Sequence, residues 1–201
     1  MHTVLHVAAL PFPSTQGTQA AIKHMLEASA TQHDTHLLCY AGQAYALDKQ
    51  AYKVHRLYDL PKDSSLRSGP SLKKLALDMQ LVWQVRKLHA VLAPKLVLAH
   101  HIEAAWACTM AGIRPWVFIA HSSLEDELGS YFHRAFSRPL SLAGRYLDRV
   151  ATFRPYHRFA VTPWLCKTLE GRHHKSFSYL PIPGRCITQQ ATPRNGKLGR
   201  A

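Results

Sequence analysis

Apolar and polar positions along this chain switch repeatedly between a strand-like run and a helix-like period. Thr3 to Leu10 is a continuous apolar run and reads as a buried strand. It enters the loop Pro11-Phe12-Pro13-Ser14-Thr15-Gln16-Gly17, after which Ala20, Ala21, Ile22, Met25 and Leu26 recur at helical spacing as far as Ala30, with Thr18 as the expected cap. His36 to Tyr40 and Tyr52 to Leu57 read as the next strands, and Pro61 to Ser71 as a loop. A long helix is expected from Leu72 to Leu92, with Leu75, Met79, Val82, Val85 and Leu88 as its apolar stripe and Pro94 as its stop. Lys95 to Ala99 is a strand, Ile102 to Ala111 a helix ending at Gly112, and Trp116 to Ala120 a strand. Leu140 to Thr152 is helical, Phe159 to Thr162 a strand, Pro163 to Leu169 a helix and Phe177 to Leu180 a last strand.

Strands separated by helices of this length imply βαβ units. The expected fold class is α/β: a Rossmann-like, mainly parallel sheet with helices on both faces. One domain spans residues 1–184. From Arg185 to Ala201 the pattern stops, and the stretch reads as a basic linker or frayed tail. Ligands of such sheets bind beyond the carboxyl ends of the strands.

Composition adds a bias towards anions. The formal net charge is +13, with 14 histidines besides, so the expected partners are anionic: nucleic acid, a phosphosugar or an acidic membrane face. Much of the charge is concentrated in Arg134, Arg138, Arg145, Arg149, Arg154 and Arg158, interleaved with Phe132, Phe136, Tyr146, Phe153 and Tyr156. That pattern suits either a helix resting on anionic lipid or a solvated helix face beside core aromatics. Four scattered cysteines and no signal-peptide shape at Met1 point to a reducing, cytoplasmic setting, and no apolar run has the length of a membrane span.

Candidate chemistry follows the strand ends. The first group is Ser14, Thr15, Gly17 and Thr18, where the helix start offers free N–H groups to an anion but lacks both the G-x-G-x-x-G and the P-loop spacings. The second is His100-His101-Ile102-Glu103. Adjacent histidines are expected to point apart, and no third ligand follows at a metal spacing, so a polar acceptor-side cluster is favoured over a metal. The third is His121-Ser122-Ser123-Leu124-Glu125-Asp126-Glu127. Here His121 can orient a hydroxyl-rich substrate or shuttle a proton, while Ser123 and the acids behind it also suit a helix cap. His173-His174 reads as a surface turn.

Taken together, these segments resemble the amino-terminal domain of a GT-B glycosyltransferase of the family-4 type. The match runs from about Thr3 to Gly184 and rests on the opening strand and loop, on Leu98 to Ala104, on Phe118 to Leu128, on Phe159 to Pro163 and on Leu180 to Gly184. The resemblance implies one half of a two-domain fold: this half binds acceptor, and a separate domain or subunit binds most of a nucleotide-sugar donor. It places Gly17 and Thr18 by the donor diphosphate and His121 by the reacting sugar. Ser14, Thr15, His101, Glu103, Ser122 and Glu127 fall on the acceptor side, while the basic-aromatic pattern itself is what turns Arg134, Arg138, Arg145 and Arg149 towards a membrane. The resemblance implies transfer to a glycan or lipid-linked acceptor, with no metal. Where relatives commonly carry an acid before Leu96, this chain has Lys95. After Glu170 there is no acid at all, so the donor-site glutamates of the second half have no counterpart here and catalysis by this half alone is not expected. The alternatives are a non-catalytic basic α/β module for nucleic acid or another anionic polymer, and a metal-dependent hydrolase on His100, His101 and His121.

Overall fold

The computed structural model describes residues 1–13, 17–41, 50–57, 72–126 and 134–183. Among them lie β1 (Thr3–Pro11), α1 (Gly17–Ala30), β2 (Asp34–Tyr40), β3 (Lys53–Arg56), α2 (Leu72–Leu92) and β4 (Leu96–His100). These are followed by α3 (His101–Met110), β5 (Trp116–Ala120), α4 (Arg134–Phe153), β6 (His157–Ala160), α5 (Pro163–His173) and β7 (Ser178–Tyr179). The strands form one seven-stranded sheet in the order β3-β2-β1-β4-β5-β6-β7, and every pairing is parallel. The expected α/β Rossmann-like fold is the one observed. Its order reverses between β1 and β4, because the chain leaves β1 for one face through α1 and later returns to the other side of β1.

Strand alternation then assigns each side chain to a face. Leu5, Val7, Ala9, Val97, Ala99, Trp116, Phe118 and Ala120 pack with Leu77, Leu81 and Val85 of α2, with α3, and with Leu165 and Leu169 of α5 in the main core. On the other face α1 places Ile22 and Leu26 against Ala8, Leu10, Leu37 and Cys39, and Met25 against Ile119 and Val161.

Several boundaries depart from the expected ones. In α2 the buried stripe is Leu77, Leu81 and Val85, while Leu75 and Met79 stand 59% and 52% exposed. That helix carries apolar residues around most of its circumference, so period alone does not choose a face. β6 begins at His157, two residues before the apolar run, because the sheet pairs His157 with Val117 through backbone groups. α4 starts at Arg134 rather than Leu140, and α5 continues past Leu169 to His173, whose side chain is buried rather than part of a surface turn. Thr18 stands inside the first turn of α1 instead of capping it. The expected tail, Arg185 to Ala201, and Cys186 lie outside the described residues. Among the described residues no helix is long and apolar enough to cross a membrane.

Candidate functional site

Near the β1–β4 reversal, histidines from the middle of β1, the end of β4 and the residue after β5 come together. His6 lies on β1 two residues before Ala8, which is in register with His100 at the end of β4, and His100 is in register with Ile119, two residues before His121. A period of two therefore sets His6, His100 and His121 on one face of the sheet. His6 Nδ1 lies 3.0 Å from His100 Nε2, and His100 Nδ1 lies 3.0 Å from His121 Nε2. His6 and His100 are fully buried, and the His121 ring keeps some solvent contact.

His101 joins them by a different route. Its φ of +68° is a left-handed conformation, uncommon for a non-glycine residue, and it begins α3. The His101 ring comes within 4.9 Å of the His121 ring, centroid to centroid. The two adjacent histidines were expected to point apart. Both instead meet His121, one by hydrogen bonding and one by ring contact, because the turn at His101 redirects its side chain.

Burial holds all four rings neutral. It lowers His6 and His121 to about 3, His101 to about 4 and His100 well below the usual histidine value. A nitrogen so weakly basic is a poor proton shuttle near neutral pH, so the geometry suits His121 to neutral hydrogen bonding rather than to acid–base work. Among the described residues no group of three or more histidine, cysteine or acidic side chains is arranged to hold a metal ion. Both ring nitrogens of His100 are already engaged by other imidazoles.

The loop after β5 is held from behind. Asp148 of α4 accepts from Ser123 Oγ at 3.2 Å, from the Leu124 N–H at 3.3 Å and from the Glu125 N–H at 3.1 Å. The cap of this turn is therefore Asp148 rather than Ser123, whose hydroxyl is a donor here and also accepts from Arg172. Arg145 donates to both carboxylate oxygens of Glu125, and Arg172 forks onto Asp126 with two bonds of 3.0 Å. Glu125 and Asp126, expected to favour the helix dipole, are held by arginines. Gly144 lets α4 come this close: a Cβ there would lie 2.8 Å from the Glu125 Cα.

On the other side of His101, Glu103 forms an ion pair with Lys74 of α2, and Tyr40 at the end of β2 donates to Asp78 one turn further along that helix. Burial pushes the Asp78 carboxyl above its usual range. Ser122 is exposed beside His121. Gly17 and Thr18 start α1 beyond the carboxyl end of β1, at the same edge of the sheet. Arg145 and Arg149 are exposed on α4, near the exposed Leu142 and Tyr146. Arg158 instead turns inward, donating to the Thr152 and Pro155 carbonyls. Ser14, Thr15 and Glu127, and the side chains of Arg134 and Arg138, lie outside the described residues. The pattern of the sequence did not single out His6, Asp148 or Lys74. The available signals were a histidine inside an apolar strand, the one acid in an arginine-rich helix, and a Lys74–Asp78 pair at i, i+4.

No protein-family model and no curated protein sequence matches the chain. Solved structures do. Sucrose-phosphate synthase from Thermosynechococcus elongatus superposes with a TM-score of 0.64 at 10% identity, over 90% of this chain and 48% of that one. The lipopolysaccharide outer core galactosyltransferase WaaB gives 0.54 at 12% identity, over 90% and 46%. What they share with this chain is the fold. UDP-N-acetylglucosamine 2-epimerase from Rickettsia bellii shares it too, at 0.50 and 11% identity, over 89% and 44%. The chain thus spans about half the length of these neighbours, and it has the architecture of one half of GT-B glycosyltransferases. One architecture serves both transferases and an epimerase, so function has to be argued from the site.

Proposed function

We propose that this chain is the acceptor-side half of a family-4-type glycosyltransferase, working with a donor-binding half to move a sugar from a nucleotide-sugar donor to a glycan or lipid-linked acceptor. The observation that carries the reading is the shared edge: the N-terminus of α1 and the His121 ring both lie beyond strand carboxyl ends, on either side of the β1–β4 reversal. Free N–H groups around Gly17 and Thr18 stabilise the negative charge of the departing diphosphate. His121, held neutral, hydrogen-bonds a sugar hydroxyl and orients the reacting carbon. His101, Ser122 and the Lys74-bound Glu103 line the acceptor side, together with Ser14 and Thr15 of the loop before Gly17 and Glu127 of the segment after Ser122. No metal or resident cofactor takes part, the nucleotide sugar being a co-substrate. The exposed Leu142, Arg145, Tyr146 and Arg149, with Arg134 and Arg138 on the same helix, dock the domain on an anionic, cytoplasmic membrane face where a lipid-linked acceptor resides. The nucleic-acid alternative has only net charge behind it.

The test is an enzyme reassembled from this chain and a donor-binding half. His121→Ala should lower kcat by about a hundredfold or more, the usual cost of a lost preorganised hydrogen-bonding group at the reacting centre. Unchanged turnover removes His121 from the site. Arg145→Glu with Arg149→Glu should release the chain from phosphatidylglycerol vesicles in a flotation assay, and retention would separate the domain from the membrane.

A further inference from the structure

The imidazole chain has a consequence for what His121 offers a ligand; it rests on the reading of His121 as a site residue. His6, His100 and His121 are joined by two nitrogen–nitrogen contacts of 3.0 Å, and each contact needs one proton, no more and no fewer. Neutral imidazole carries one proton. If His6 bears its proton on Nδ1, it donates to His100 Nε2. His100 must then carry its own proton on Nδ1 and donate to His121 Nε2, which leaves the His121 proton on Nδ1. If His6 bears its proton on Nε2, every ring reverses. A mixed set places two protons, or none, in one of the contacts. The three rings therefore share one tautomer.

The buried end of the chain decides which. His6 Nε2 is buried and has no hydrogen-bond partner among the described residues. The groups around it are mostly apolar: His6 lines a cleft of about 260 Å³ with Met25, Leu98, Ile119, Phe159 and Leu180, and the other polar side chain of that lining, Ser29, is hydrogen-bonded to Thr35. An N–H donor stranded there is disfavoured more than a bare lone pair, since orphaned buried N–H groups are the rarer kind. We propose that His6 and His100 are positioning residues that hold His121 in its Nδ1–H tautomer, so that His121 meets the ligand as a hydrogen-bond donor to an oxygen lone pair. Such an oxygen belongs to a sugar hydroxyl, ether or phosphoryl group. A ligand group that only donates is turned away unless all three tautomers reverse together.

Ring-nitrogen NMR of the labelled full-length chain at neutral pH tests this, with each histidine assigned by substitution. The expected result is three neutral rings, His6, His100 and His121, each protonated at Nδ1 and bare at Nε2. A mixed set, or a charged ring among them, overturns the coupling. A uniform Nε2–H set overturns the donor assignment. His6→Asp places an obligate acceptor against His100 Nε2 and should convert His100 and His121 to the Nε2–H form, a change relayed through His100 to His121. Adding His100→Leu should abolish that relay, so that the residue at position 6 no longer alters the His121 spectrum; a change that persists overturns the chain as its route. The unsubstituted protein decides the shared tautomer even if His6→Asp does not fold. None of these signals depends on sugar transfer. If the rings are in step while His121→Ala leaves turnover intact, the assignment of His121 to the site fails and the coupling stands.

Discussion

Asp148 shows how one side chain in an unpromising setting organises the edge of the site. It is the one acid of α4, buried, and its carboxylate receives the Ser123 hydroxyl and two backbone N–H groups of the turn that follows His121. Burial raises its pKa to about 6 even though those bonds pull the other way. Asp148→Ala would strand the Leu124 and Glu125 N–H groups, at a cost of about 2–3 kcal/mol from the loss of charge-assisted bonds to partly buried donors. Asp148→Asn retains one acceptor oxygen and should cost about half as much. Urea unfolding measures both, and a loss under about 0.5 kcal/mol for the alanine variant would mean that the carboxylate does not hold the turn. The legibility of the site follows the same logic. His101, Glu103 and His121 could be placed from sequence because each follows directly on an apolar strand whose carboxyl end is where ligands bind. Asp148 and His6 could not, since their value depends on partners 23–25 and 94 residues away. Arg172 carries the same lesson: it pairs with Asp126 across 46 residues of chain and turns an acid that suited a helix cap into a strut.

Among elements, the contact between α4 and the loop after β5 leaves no room for a side chain. A Cβ at position 144 would meet the Glu125 Cα at 2.8 Å and both the Glu125 nitrogen and the Leu124 oxygen at 2.9 Å, all of them backbone atoms that no side-chain rotation can clear. Gly144→Ala must therefore push α4 away from the turn. The expected loss is about 1–3 kcal/mol, the range for overpacking a closed contact, against the small gain alanine brings to a helix interior. Thermal unfolding should show a lower midpoint, and the amide signals of Leu124 and Glu125 should shift as their bonds to Asp148 lengthen. A stability equal to or above that of the unsubstituted chain would show that the approach is not close. Element order was legible because buried parallel strands are short apolar runs and their crossovers are amphipathic, two signals that do not imitate one another. Element faces were less so. In α2, Leu75, Met79, Trp83 and Val91 are as apolar as the buried Leu77 and Leu81, yet stand exposed, because the sheet and α3 rather than the helix's own period select the inward side. The start of β6 was hidden for the opposite reason: His157 and Arg158 are polar, and backbone pairing with Val117 and Phe118 brings them into the sheet.

For the molecule as a whole, the histidines at the sheet edge set the response to acid. His6, His100, His101 and His121 are neutral in the folded chain, with pKa values lowered by burial to about 3, well below the ordinary value, about 4 and about 3 respectively. Burial lowers His55 and His173 as well. In the unfolded chain each of these groups titrates near the model-peptide value of about 6.5. Below that pH the unfolded state binds more protons than the folded one, so stability falls as pH falls from about 6.5 towards the folded values. Each fully shifted group contributes a slope of about 1.4 kcal/mol per pH unit over that window. Asp148 and Asp78 act in the opposite sense: with pKa values raised by burial, they take up protons in the folded state first and gain stability on acidification. The imidazoles outnumber them. His101 and His121 retain some solvent contact, so the inner pair, His6 and His100, carries the larger share. The net expectation is a loss of about 3–6 kcal/mol between pH 6.5 and 4.5, a large part of the total stability of a domain this size. Urea midpoints measured across that range check it, and a flat profile would place the rings in contact with water. His6→Leu removes one titrating group from the cluster and should reduce the slope by about one proton's worth whatever it does to stability at neutral pH. The slope thus reports the buried histidines separately from the packing around them.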